Sequence, residues 1–193
     1  MLAAYRGGAF PSADSRRGPV RWYSPDPRGI LPLDAIHVSR RLARRIRSGR
    51  LEVVSDRDAE AVIDACADRS ETWISAEIRE VYLQLFRSGH VHTVEAYAGP
   101  RLVGGLYGVH LGGAFMAESM FHRATDAGKV CVAALVKHLR GRGFRLLDIQ
   151  QVTRATAPLG AIEIPREDYL ERLEEALGHE ATWGRFCDKS GNN

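Results

Sequence analysis

Cysteine is scarce in this 193-residue chain: there are 3, Cys66, Cys131 and Cys187, an odd number at wide and unequal spacings. That pattern fits neither a disulfide framework nor the paired ligands of a structural zinc site. Any run of about 18 apolar residues, the length a membrane-crossing helix needs, is also missing. The start, Met1-Leu2-Ala3-Ala4-Tyr5-Arg6-Gly7-Gly8, has no long apolar core of the secretory kind. The expectation is a cytoplasmic protein with no membrane partner. Aromatic residues are only 8%, yet with 45% hydrophobic residues a chain of this size buries enough surface to fold without disulfides or metal.

What is plentiful is arginine near the beginning. Residues 1–50 carry 11 Arg against 3 Asp, whereas the rest holds more acid than base and the whole chain is only +3. Crowded guanidinium groups repel one another unless counter-charge arrives. A polyanionic partner is one explanation of this asymmetry; a well-solvated basic surface is the other.

Residues 1–37 are rich in Gly, Pro, Ser and Arg without a sustained period, and are expected to form a reduced, extended amino-terminal segment. Ser39 is placed to cap a helix over 40–48, with Leu42 and Ile46 on one side and Arg40, Arg41, Arg44, Arg45 and Arg47 around the rest. A short strand at 51–54 and helices at 58–67 and 75–88 follow. Strands at 91–98, 101–109 and 114–120, the first two joined by Gly99-Pro100, read as a meander. Asp126 opens an apolar helix through Arg140 that Gly141 and Gly143 end, residues 145–152 form the most strand-like run, and Pro165 opens a last amphipathic helix. This order predicts an α+β fold with a mixed, largely antiparallel sheet: one domain over 38–178, then a polar tail, 179–193, expected to fray.

Several side chains invite chemical readings. Asp148 and Gln150 lie two apart on a predicted strand, so period 2 puts them on one face, opposite Leu147 and Ile149. Such a carboxylate either ties down a loop or orients an amine. Glu118, which follows the small, apolar run 112–117 and precedes Ser119-Met120-Phe121, must be paired, exposed or functional, because burying an unpaired charge is costly. His90 and His92 share a strand face, but no third ligand stands at a telling spacing, and structural histidines are favoured over metal. Gly141-x-Gly143 faintly echoes the Arg/Gln-x-x-Gly-x-Gly loop that holds acyl-CoA pyrophosphate, yet it closes a helix and does not open one. Trp22, Tyr23 and Trp73 either stack on unpaired bases or pack under loops.

Taken in order, the local strings resemble the leucyl/phenylalanyl-tRNA–protein transferase family from about Ala4 to Leu177. Gly8-Ala9-Phe10-Pro11 after Tyr5, Trp22-Tyr23-Ser24-Pro25-Asp26-Pro27-Arg28, Thr72-Trp73-Ile74 and Gly89-His90-Val91-His92-Thr93-Val94-Glu95 match the family's sequence of motifs. So do Gly104-Gly105-Leu106-Tyr107-Gly108, Glu118-Ser119-Met120-Phe121, Leu147-Asp148-Ile149-Gln150 and Leu159-Gly160-Ala161-Ile162-Glu163-Ile164-Pro165-Arg166.

The resemblance implies an acetyltransferase-like (GNAT-type) fold whose donor is aminoacyl-tRNA, with no cofactor. It implies transfer of Leu or Phe, with Met also considered, to the α-amine of proteins beginning with Arg or Lys, which marks them for N-degron degradation by a monomeric enzyme. By position, Asp148, Gln150 and Glu118 match catalytic groups, and Trp73 an aromatic beside the terminal adenosine. Leu106, Phe115, Met120, Leu135, Leu139 and Leu147 match the donor side-chain pocket. The arginine helix, through Arg40, Arg41, Arg44 and Arg45, is the expected tRNA contact. Ser12 stands where the family tends to place Met or Trp, and Thr153-Arg154-Ala155-Thr156-Ala157-Pro158 lacks the family's usual His and Ser. A paralogue with a different amine acceptor, a non-catalytic aminoacyl-tRNA binder and an acyl-CoA N-acyltransferase are the competing readings.

Overall fold

The computed structural model describes residues 1–70 and 72–188. Helix α1 (Leu2–Arg6) leads into an antiparallel pair, β1 (Phe10–Ser12) and β2 (Arg21–Tyr23), and the chain then enters the main sheet at β3 (Arg28–Ile30). Helix α2 (Arg40–Arg47), strand β4 (Glu52–Ser55) and helices α3 (Ala59–Ala67) and α4 (Ala76–Arg87) come next. The three helices start where expected: the side chains of Ser39, Asp58 and Ser75 accept the backbone N–H groups of Leu42, Ala61 and Ile78.

The meander is β5 (Val91–Ala98), β6 (Arg101–Leu111) and β7 (Ala114–His122). Helix α5 (Ala127–Gly141), β8 (Leu146–Gln150), a short 3-10 turn (Ala157–Leu159), β9 (Ile162–Ile164), α6 (Arg166–Leu177) and β10 (Cys187–Asp188) complete the order. The result is a mixed α+β fold. Its 8-stranded sheet has the order β10-β4-β5-β6-β7-β8-β3-β9 and is antiparallel throughout except between β7 and β8.

Two apolar cores hold the layers together. Tyr107, Val109 and Met116 pack with residues of α3, α4 and α6, whereas Val94, Leu106 and Phe115 pack with residues of α5 and α2. The parallel pair does most to place the site. β7 and β8 are in register only at Ala114–Leu146, Phe115–Leu147 and Met116–Asp148; beyond that they part, and a gap opens between them.

Three expectations need correction. The segment 1–37 is not a separate extended piece, since β3 lies inside the main sheet between β8 and β9. A Cβ at Gly29 would sit 2.7 Å from the Gln151 main chain, so this strand approaches as only glycine allows. The tail does not fray over 179–188: Trp183 is buried, stacks on His92 with ring centroids 4.4 Å apart, and the chain adds β10 to the sheet edge. The physical reason is an apolar ring in a polar stretch, which composition averages away. Asp126 does precede α5, but its side chain makes no capping hydrogen bond.

Candidate active site

The opening between β7 and β8 contains a cavity of about 700 Å³. Its apolar lining comes from Leu106, Met120, Val132, Leu135, Leu147 and Ile149, and its polar lining includes Glu118, Ser119, Gln150, Gln151 and Thr153. Phe10, Ser12, Tyr23, Arg69 and Trp73 complete it from the amino-terminal strands and the segment before α4.

Glu118 is buried, 7% exposed, and its carboxylate accepts the Tyr82 hydroxyl at 2.8 Å and the Gln150 amide at 3.2 Å. The Tyr82 hydroxyl lies 2.8 Å from that of Tyr5, so two tyrosines and one carboxyl form a buried chain. Burial pushes the Glu118 carboxyl up to about 7, with the tyrosine hydrogen bonds and Arg28 pulling the other way and Asp148 adding to the rise. Burial, then the charge of Glu118, holds the hydroxyls of Tyr5 and Tyr82 well above the usual tyrosine range, so both remain donors.

Asp148 is fully buried and does not line the cavity. Its Oδ1 accepts Arg28 Nε at 2.9 Å and the Gln150 backbone N–H at 2.8 Å; its Oδ2 accepts Arg28 Nη2 at 2.6 Å and the Tyr169 hydroxyl at 2.9 Å. Burial opposes the charge on Arg28, but the hydrogen bonds and charge of Asp148 outweigh it and raise the guanidinium's pKa, so Arg28 keeps its proton. Gln150 is not placed by plain strand alternation. Its φ is +66°, a left-handed conformation that costs a non-glycine residue about 1–3 kcal/mol, and Ile149, Gln150 and Gln151 all line the cavity.

The structure therefore gathers Glu118, Gln150, Trp73, Leu106, Met120, Leu135 and Leu147 around one cavity. Phe115 and Leu139 lie elsewhere: both are fully buried in the core, Phe115 stacked 5.2 Å from Trp183. The arginines of α2 do not line the cavity. Arg41 pairs with Asp126 at 3.0 Å, Arg45 is half-buried, and Arg40 and Arg44 are exposed. His92 is held by Asp56 at 2.9 Å, and no cluster of three or more metal-ligating side chains occurs among the described residues.

Sequence reasoning missed Tyr5, Tyr82, Arg69 and Tyr169 as site residues, and the burial of Arg28 against Asp148. Arg69 donates to Ser119 Oγ at 3.3 Å and to the Met120 carbonyl, which places a cation on the cavity wall. Among the described lining residues there is neither histidine nor cysteine, so the cavity offers an apolar recess, a carboxyl that ionises near neutrality and amide groups, without the usual nucleophile–base pair.

Comparison with known proteins agrees with the residue-level resemblance. The leucyl/phenylalanyl-tRNA protein transferase family matches residues 30–174, and the N-terminal domain of the same family matches residues 1–26. The leucyl/phenylalanyl-tRNA–protein transferase of Ruegeria pomeroyi is 49% identical over 98% of this chain and 91% of its own length. That of Rubrobacter xylanophilus is 54% identical over 92% and 93%, and that of Zymomonas mobilis 50% over 100% and 72%. The chain belongs to the leucyl/phenylalanyl-tRNA–protein transferase family.

Proposed function

We propose that this chain transfers Leu or Phe from aminoacyl-tRNA to the N-terminal α-amine of a protein, and that the gap between β7 and β8 is where it does so. The observation that carries this reading is the joining, in one cavity, of an apolar recess with the Glu118–Gln150 pair. Leu106, Met120, Leu135 and Leu147 suit a branched or aromatic donor side chain, and a charged one is excluded by uncompensated desolvation. Trp73, with Tyr23 where Ser12 leaves room, offers ring faces for the terminal adenosine.

An aminoacyl ester is already activated, so holding amine and ester together does most of what catalysis requires. The acceptor nitrogen must attack as a neutral amine. Glu118, ionising at about 7, accepts the ammonium proton, while the Gln150 carbonyl oxygen orients an N–H of the amine. The nitrogen then attacks the ester carbonyl, the C–O bond to the ribose breaks, an amide forms and a proton ends on the released ribose hydroxyl. Asp148 acts from behind, through Gln150.

The fold that frames this reaction is of the acetyltransferase type in our reading, supported by the single parallel pair that splays open around the site. Acyl-CoA is disfavoured as donor. Where β7 runs into α5 the chain reads Arg123-Ala124-Thr125-Asp126-Ala127-Gly128, and Asp126 stands immediately before the first turn of the helix with a φ of +63°. Its carboxylate, held by Arg41, sets negative charge where a pyrophosphate would need amides alone. Arg40 and Arg44, exposed and able to meet phosphates, favour tRNA instead. The reading extends to acceptors that begin with Arg or Lys, which the family resemblance implies, and to a monomer working in the cytoplasm.

The test is direct: incubate the protein with Leu-, Phe- and Met-tRNA and with peptides beginning with Arg, Lys or another residue, and read the mass of the peptide. Addition of one Leu or Phe to the Arg and Lys peptides is the expected outcome. No product from any charged tRNA, with tight binding retained, would favour a non-catalytic binder.

A further inference from the structure

We infer that Arg28 and Tyr169 are positioning residues of the transfer reaction: through Asp148 they fix the Gln150 main chain, and so aim the Gln150 amide at the reacting amine. The inference rests on the function proposed above and deepens it by naming what holds that site in shape.

Each oxygen of Asp148 is engaged twice, by Arg28 Nε and Gln150 N–H on one side and by Arg28 Nη2 and the Tyr169 hydroxyl on the other. A carboxylate so engaged, paired with a guanidinium and sealed from solvent, is a bracket between elements. Its bond toward the cavity is to the Gln150 N–H, and Gln150 has the left-handed φ that a glutamine keeps only where its surroundings impose it. That turn of the chain sends the Gln150 side chain to the cavity and to Glu118, while Asp148 stays behind the wall.

The other end of the bracket is as firmly set. The Arg28 guanidinium lies between the rings of Phe10 and Tyr169, 4.8 and 4.3 Å from their centroids, and its Nη1 donates to the Gly8 carbonyl at 2.8 Å. Phe10 itself lines the cavity and stacks on Tyr23, which lines it too. One buried cation thus ties three parts of the chain to one carboxylate: the amino-terminal segment, α6 and the end of β8. Loss of its two-pronged grip frees Gln150 to move, and a displacement of about 1 Å is enough to cost about 10²-fold in rate.

The experiment compares wild type with Arg28→Lys, Arg28→Gln and Tyr169→Phe in steady-state transfer of Leu from charged tRNA to an Arg-initiated peptide. Arg28→Lys keeps the charge but not the fork, and is expected to lower kcat by about 10²-fold with KM for aminoacyl-tRNA little changed. Tyr169→Phe removes one hydrogen bond of the bracket and should lower kcat by about 10-fold without loss of folding. The pH–rate profile separates positioning from general damage. Glu118 is faced by Tyr5, Tyr82, Gln150, Arg28 and Asp148, and Arg28→Lys and Tyr169→Phe leave the charge at each of these positions unchanged, so kcat should fall while the acidic limb stays in place; Arg28→Gln, which removes charge and fork together, should lower kcat at least as far as Arg28→Lys.

Hydrogen exchange of the Gln150 backbone amide supplies a readout independent of turnover: slow in wild type, faster in Arg28→Lys and Tyr169→Phe. If wild type transfers nothing, the proposed function falls while exchange still judges the bracket. If wild type transfers and Arg28→Lys or Tyr169→Phe matches its kcat and its Gln150 exchange, the positioning role is refuted. A limb displaced in Arg28→Lys together with the fall in kcat refutes it as well, since the loss then lies in the titration of Glu118 and not in the placement of Gln150.

Discussion

Replacing Glu118 by Gln preserves the outline of the side chain and removes its titration, which isolates the property on which its proposed role as base rests. In the folded protein burial raises the carboxyl from 4.5 to about 7. The folded state therefore holds its proton more tightly than the unfolded state, and between about pH 4.5 and 7 it binds more protons. Stability must then fall as pH rises through that window, the reverse of the usual salt-bridged carboxylate. At about 1.36 kcal/mol per pH unit the displacement is worth roughly 3 kcal/mol. With Glu118 only 7% exposed, solvent screening takes little from that figure. Urea unfolding of both proteins at pH 5 and pH 8 measures it: relative to Glu118→Gln, wild type should lose about 2–3 kcal/mol between the two. Transfer should drop by about 10²–10⁴-fold in the variant, and the limb that rises through pH 7 should vanish. A stability gap that is the same at both pH values would show that the carboxyl titrates normally, and would remove Glu118 from the role of base.

Three further outcomes are expected. Arg40→Ala with Arg44→Ala should weaken tRNA binding and flatten its salt dependence by about 0.9 of a log–log slope unit for each phosphate that is no longer neutralised, while Arg41→Ala, already paired with Asp126, should change the slope less; titration at several salt concentrations checks both. Leu135→Phe should narrow the apolar recess and turn the enzyme against Phe relative to Leu by about 10–200-fold in kcat/KM, measured with both charged tRNAs in competition. Trp183→Ala should lower stability by about 3–5 kcal/mol in urea unfolding, since the ring is buried against Phe115, His92 and His138.

The elements were legible because local chemistry agrees with the final fold: the Ser39, Asp58 and Ser75 caps and the Gly99 turn sit where side-chain type alone puts them. What composition hid was long-range. Trp183 and Cys187 lie in a polar stretch, and only the sheet edge and the rings across it give them partners. Phe115 and Leu139 are as apolar as Leu106 and Leu135, so residue type cannot separate core from cavity wall; the parting of β7 from β8 does. The same limit governs the site. A strand period of 2 makes Asp148 and Gln150 equivalent, and the left-handed turn at Gln150 breaks that equivalence. Whether a carboxylate acts on substrate or on its own chain depends on how many of its lone pairs are already taken. For Asp148 the answer lies 120 residues away in Arg28 and 21 away in Tyr169, beyond the reach of any local pattern. For Glu118 the balance runs the other way: two neutral hydroxyls and one amide, and no cation in hydrogen-bonding contact among the described residues, leave it both acceptor capacity and a proton affinity near neutrality. The two acids, 30 positions apart in sequence, are set apart by one guanidinium, which pairs with Asp148 and leaves Glu118 to the roles proposed for it, and this is why Arg28 belongs to the description of this site as much as either carboxyl.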